Sequence, residues 1–199
     1  MNLPGTGNRG LQRRSNERGA SAVEAAIVTP VVFALFFGIV ELGFLFKDYL
    51  AVAGAVRAGV RMASANPRMS TFAQAAVDKV ANTGGAMNLK DIQEMWVYKV
   101  SLTATSDKPF GRSDFNDCGD CVKFRWDSPT NKFIPITDTW PANTQNACSA
   151  RSPGGPPDRI GVYIKLKHDA FTKFVFNTVN ISEASIMTLE PMPVPTGCK

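Results

Sequence analysis

Few residues in this 199-residue sequence have the types and spacing that chemistry requires. Cys118-Gly-Asp-Cys121 has the spacing of a redox pair. In an oxidoreductase such a pair sits at a helix N-terminus, where the thiolate is stabilised. Here it lies in a polar Asp/Asn loop with no strand-helix-strand pattern around it, so redox catalysis is not expected. Cys148 and Cys198 complete a set of four. A zinc site would need a second close pair, which is missing. Structural disulfides are the expectation, and an even count leaves three connectivities open. With only two residues between them, Cys118 and Cys121 are each expected to pair with a distant partner, Cys148 or Cys198. The stretch Ser113-Asp-Phe-Asn-Asp-Cys-Gly-Asp120 begins like a calcium loop. However, Cys118 replaces a ligand and Arg125 stands where the closing glutamate belongs, so a solvated turn is expected. His168 is the one histidine. It has no acid–nucleophile pattern nearby and is expected in solvent at a strand end. No phosphate-binding glycine loop, Ser/His/Asp arrangement or recognisable carboxylate pair occurs. The sequence therefore predicts no catalytic residue, no metal and no cofactor, and it does not read as an enzyme.

Two acids carry a different kind of chemistry. Residues Ala25 to Phe46 form a run of 22 with a single charge, Glu41, and Glu24 stands immediately before it. As a helix at 1.5 Å per residue the run reaches about 33 Å, against a hydrocarbon core of roughly 30 Å. It is longer than a signal-peptide core and lacks a small-residue cleavage exit at Leu45-Phe46-Lys47. A retained membrane span over about 25–46 is expected. Arg9, Arg13, Arg14 and Arg18 precede it, against one acid, Glu17. Basic residues before a first span hold that end in the cytoplasm, so residues after Lys47 are expected outside. All four cysteines lie on that side, where thiols oxidise. Glu24 alone could simply complement a helix N-terminal dipole. A cut after Gly19 would instead make Ala20 the new N-terminus and Glu24 its fifth residue. Amine and carboxylate would then be neighbours at apolar depth, where unpaired charge is costly and finds a partner.

The elements that position these residues read as α+β. Residues 1–19 show no apolar periodicity and are expected to be disordered. One long helix is predicted from Ser21 to about Asn66, with Pro30 inside it and Pro67 ending it. Beyond the span, Ala51, Ala55, Gly59 and Ala63 recur every four residues, and Gly54 and Ala58 form a second pair beside them. Small residues at this spacing admit another helix closely. Arg57 and Arg61 charge a neighbouring face. A short helix is predicted from Thr71 to Asn82, stopped by Gly84-Gly85. Strands follow at Met95–Leu102, Cys121–Trp126, Phe133–Ile136, Arg159–Lys167 and Ile181–Glu190, with a helical turn at Ala170–Phe176. The first strand should be buried on its Trp96/Tyr98/Val100 face. Helix first and then strands predicts an α+β fold: a long N-terminal transmembrane helix over a small antiparallel-sheet domain with a disulfide-bearing loop. The predicted parts are 1–19, 20–66 and 67–199.

Three strings together carry a family resemblance. Gly19-Ala-Ser-Ala-Val-Glu24-Ala-Ala-Ile-Val-Thr-Pro30, then Gly38-Ile-Val-Glu41-Leu-Gly43, then Ala55-Val-Arg57-Ala-Gly-Val-Arg61 resemble the TadE-like minor pilins, or pseudopilins, of the Tad (Flp) type IV pilus system. Ser185-Ile-Met-Thr-Leu-Glu190-Pro191 also resembles their closing strand. The detailed match covers about Arg18 to Ala65, a quarter of the chain. Ala25 departs from the aromatic residue that follows the glutamate in the major Flp pilins. With the length of the outer part, this sets the chain apart from the major pilin. The short form with one helix resembles TadE or TadF types more than the longer TadG type.

The resemblance implies processing between Gly19 and Ala20 by a prepilin peptidase. It also implies an assembly role for Glu24. The implied partners are that peptidase, the other pilins of the system, its inner-membrane assembly platform and the membrane. The implied function is assembly of an attachment pilus, at its priming or its tip. An unprocessed membrane-anchored binding or sensor module is the alternative. Loss of the leader would take Lys+Arg from 22 to 18 and Asp+Glu from 17 to 16, and net charge from +5 to +2. The basicity thus belongs mostly to the leader, and no nucleic-acid partner is expected.

Overall fold

The structure, a computed structural model, describes residues 10–100, 119–149, 155–173 and 176–193. Its first element is the 55-residue helix α1, Gly10–Ser64. The helix begins well before Ser21, so residues 10–19 are helical and not disordered. Leu11 to Arg18 contain no proline or glycine. Extending an existing helix costs far less than nucleating one, so the apolar helix propagates backwards through them. Pro30 is accommodated within it. At the other end Asn66 N–H donates to Ala63 O (3.2 Å) and Arg68 adopts φ 60°. Arg68 N–H then donates to the buried Gln145 Oε1 (2.6 Å), which fixes the reversal.

Helix α2, Phe72–Thr83, runs back along α1, and Gly84 N–H donates to Val80 O to close it. Thr71 precedes it but makes no side-chain cap. Strands β1 (Ile92–Val100), β2 (Cys121–Asp127), β3 (Lys132–Asp138), β4 (Arg159–Asp169) and β5 (Thr178–Thr188) form one antiparallel sheet. The strand order is β3-β2-β1-β4-β5. Met95 of central β1 lies opposite Phe124 on one side and Ile164 on the other. β3 is an edge strand, which is where Pro135 is tolerated.

The two helices cover one face of the sheet. Val52, Ala55, Val56, Val60 and Ala63 of α1 and Phe72, Ala76, Val77 and Val80 of α2 meet Met95, Val97, Phe124, Val162 and Ile164. The expected division at residue 67 marks where the helix ends, but the core crosses it: the outer half of α1 is part of the domain. Trp140 is 1% exposed and meets Phe72 edge-on at 5.3 Å between ring centroids. β1 is buried on both faces. The second face carries a smaller cluster of Trp96, Tyr98, Val100, Cys121 and Tyr163. Gly161 is required there, because a Cβ would lie 2.3 Å from Tyr98 Cζ. Lys123 Nζ stacks on Trp96 at 4.3 Å.

The segment Ala170–Phe176, expected as a helical turn, is not helical at its described residues, 170–173 and 176, which belong to the β4–β5 connection. Its Thr172 N–H donates to the Glu41 carboxylate and not along a helix, and Lys173 turns to φ 56°. After β5, Glu190 N–H donates to Ser64 O (3.0 Å) and Met192 N–H to Ala147 O (2.8 Å). The first bond ties the closing Leu189-Glu190-Pro191 segment to the end of α1, and the second holds the chain beyond it against the segment at Ala147.

Candidate functional site: the two halves of the long helix

From Gly19 to Val40 no residue of helix α1 is buried among the described residues. Ile27, Val31, Phe33, Leu35, Phe36 and Ile39 are each more than half exposed. The segment Gly19–Ser64 contains an 18-residue window of mean hydropathy 2.3 that is 0% buried. So much bare apolar surface is stable only in lipid or against other apolar helices. One such helix at the N-terminus fits a single-pass membrane protein. Gly19 and Ala20 are exposed within this helix, and nothing lies within 4 Å of Gly19. Glu24 is exposed too, with no ion pair or hydrogen bond among the described residues.

The outer half uses its small residues differently. Ala55 and Ala63 are 0% exposed, Gly59 is buried, and Ala51 packs at the edge of the core. A Cβ on Gly59 would come within 2.6 Å of Val80 Cγ2 and 3.2 Å of Ala76 O. The close helix neighbour implied by this stripe is therefore α2 of the same chain. Gly54 is exposed, with nothing within 4 Å of a Cβ there, and Ala58 is half-buried. That second pair lies on the outward face. Ala58 lines a shallow groove with Arg57, Arg61, Met62 and Lys79.

Two ionisable groups at the junction of the halves sit where the sequence did not place them. Glu41 is fully buried. Its Oε1 accepts hydrogen bonds from the Thr172 N–H, the Thr172 Oγ1–H and the Lys173 N–H, the last at 3.1 Å. The available signal was its isolation: a carboxylate alone in an apolar run must find donors. His168 is not in solvent. It is 6% exposed, and its Nδ1 lies 2.7 Å from Asp48 Oδ2. Asp48 also meets Lys47 Nζ at 3.1 Å. The pairing joins residues 120 positions apart, and no local pattern could reveal it. At the next residue of α1, Tyr49 donates a hydrogen bond to Glu183 of β5, which holds that phenol above its ordinary range. At the end of β4, hydrogen bonds from Lys167 and Thr178 hold the Asp169 carboxyl below its ordinary value. Glu41, Asp48 and Tyr49 thus fasten one face of α1 to the β4–β5 hairpin.

Cys121 and Cys148 are both fully buried. Cys118 and Cys198 lie outside the described residues, as do Ser113 to Asp117 of the calcium-like stretch. Among the described residues no group of three or more His, Cys, Asp or Glu side chains could hold a metal.

No curated protein and no solved structure matches the chain. Residues 19–61 match the family described as TadE-like protein. The matched segment begins at the Gly19–Ala20 junction, takes in the bare apolar helix and Glu41, and ends in the part of α1 that builds the core. Over this helix the chain is similar to the TadE-like family, and the likeness suggests a protein associated with the Tad pilus.

Proposed function

We propose that this protein is a minor pilin, or pseudopilin, that takes part in assembling a Tad-type pilus for surface attachment. The observation that carries the reading is the family match over a helix that is bare from Gly19 to Val40 and domain-bound after Glu41. Such a helix has two uses in succession. In the membrane its apolar surface faces lipid; in a filament the same surface packs against the helices of other subunits. Glu24 is the selective element. A carboxylate at apolar depth, next to a new amine at Ala20, rewards only those arrangements that pair the two. The domain would face away from the cytoplasm, held in the inner membrane until assembly. Cys118, Cys121, Cys148 and Cys198 would form two disulfides there.

The mature N-terminus tests this reading. In protein from its native host, mass spectrometry should find Ala20 first and no free thiol without reduction. An intact Met1 would sink the pilin reading in favour of a permanently anchored module. Glu24→Ala should leave membrane insertion unchanged but remove the protein from sheared pilus fractions.

A further inference from the structure

Glu41 lies inside the apolar run Ala25–Phe46, yet Thr172 and Lys173 of the β4–β5 connection are bonded to it. The folded domain therefore reaches down α1 past the last five residues of that run. What surrounds this contact is apolar and uncovered. Phe171 is 81% exposed, and its ring centroid lies 6.3 Å from that of Phe44, itself 46% exposed. Phe37, two turns below Phe44 on the same side of the helix, continues the patch at 39% exposure, and Leu42 and Phe46 leave the other side bare at 44% and 62%. Lysines stand around it. Lys47 Nζ is 5.9 Å from the Phe44 ring centroid. The Lys167 side chain is 42% exposed, and Lys173 is exposed beyond Phe171.

We propose that the β4–β5 connection is a lipid contact: Phe171 enters the leaflet beside Phe44, with Lys47, Lys167 and Lys173 at the level of the phospholipid phosphates. The inference rests on the single-pass reading of α1. Three observations favour lipid over a second copy of the chain as the occupant. The patch is continuous with the lipid-facing surface of the helix below it. Aromatic rings edged by lysines are the composition that settles at a membrane interface. The Glu41 bonds fix the connection to α1 at that depth, so the connection meets the bilayer wherever the helix crosses it. Asp48 and Asp169 partner two of the lysines, Lys47 at 3.1 Å and Lys167 at 2.9 Å. The rim is therefore close to neutral, and zwitterionic lipid is a sufficient partner. The outer boundary of the hydrocarbon core then falls at about Glu41 and not at Phe46, with Phe44 and Phe171 in the interfacial layer of the leaflet just above it. The residues Ala20–Val40 below it still reach about 32 Å as a helix, enough to span a core of roughly 30 Å. This places Glu24 within the span and not in front of it.

The test uses the full chain reconstituted in phosphatidylcholine bilayers with brominated acyl chains. Emission is compared with the wild type, whose three tryptophans set the background. Phe171→Trp changes an exposed residue, and Phe36→Trp reports on the span itself. Bromolipid should remove most of the added emission of both variants, and aqueous iodide should spare it. If Phe36→Trp is quenched by bromolipid while Phe171→Trp is quenched by iodide, the lipid contact is wrong and the span stands. If neither is quenched by bromolipid, the single-pass reading fails and takes the lipid contact with it. A Phe171→Trp signal shielded from both quenchers, and exposed on dilution into excess lipid, would overturn the proposal in favour of self-association.

Discussion

Removing the Glu41 carboxylate strips the acceptor from two backbone N–H groups and one hydroxyl at once. An unsatisfied buried donor costs on the order of 1–3 kcal/mol. Glu41→Ala should therefore lower stability by about that range, while Glu41→Gln keeps an acceptor oxygen and should lose less. Thermal unfolding of the detergent-solubilised protein measures the loss, and amide exchange locates it. Exchange at Thr172 and Lys173 should accelerate in Glu41→Ala, with that of central β1 unchanged. Equal acceleration throughout the sheet would mean that Glu41 supports the whole fold and not this connection. His168 and Asp48 join the same two elements less than two turns further along α1, so this face of the helix is held by polar contacts. Further along the same stripe, at four-residue steps from Asp48, Val52, Val56 and Val60 hold it by apolar contacts.

Within α1 the two small-residue stripes offer a paired comparison. Gly59 faces α2 so closely that an added methyl group has no room. Overpacking of this kind costs about 1–3 kcal/mol, and Gly59→Ala should destabilise by that order. Gly54 has open space around it. There the substitution acts through helix propensity alone, and Gly54→Ala should stabilise by up to about 1 kcal/mol. Urea unfolding of both variants in detergent checks the signs. If both changes destabilise, Gly54 also faces a close neighbour. That result would be the signature of a packed partner on the outward face, where Arg57 and Arg61 lie.

At the scale of the molecule, α1 is a bare apolar rod over its first half and a core element over its second, and truncation should separate the two. A chain lacking residues 1–40 keeps every residue of the main core. It should be soluble without detergent and show cooperative unfolding. A chain lacking residues 1–66 loses Val52, Ala55, Val56, Val60 and Ala63 from the layer that covers the sheet. Uncovering that face removes three buried valines, each worth about 1.5–3 kcal/mol, a loss comparable with the usual total stability of a domain of about 5–15 kcal/mol. It should aggregate or bind hydrophobic dye as a molten state. Circular dichroism and size-exclusion chromatography distinguish the outcomes. If the shorter chain folds, the helix is an appendage and not part of the core.

The sequence by itself determined what local composition and periodicity control. The 22-residue apolar run forces a helix that cannot remain in water. Alternation at Met95–Val100 and Arg159–Lys167 forces strands, and the order of the elements selects α+β. The strings around Gly19, Glu41 and Arg57 were enough to point to the TadE-like family. Pairings across long stretches of chain were left to the tertiary structure. Nothing beside Ala51, Ala55, Gly59 and Ala63 tells whether a close neighbour belongs to the same chain or to another; the fold supplies α2. No local signal brings Asp48 to His168, or Thr172 to Glu41, because each contact depends on where two distant segments come to lie. The helical turn expected over Ala170–Phe176 fails for the same reason: Thr172 and Lys173 are drawn to a buried carboxylate from a distant segment, and Lys173 takes φ 56°, which breaks a helix there. Periodicity depends on the near neighbours of a residue and survives in the sequence. A buried charge is satisfied by whatever the completed fold brings to it, and only the fold could show that Glu41 is part of the domain and not only of the span.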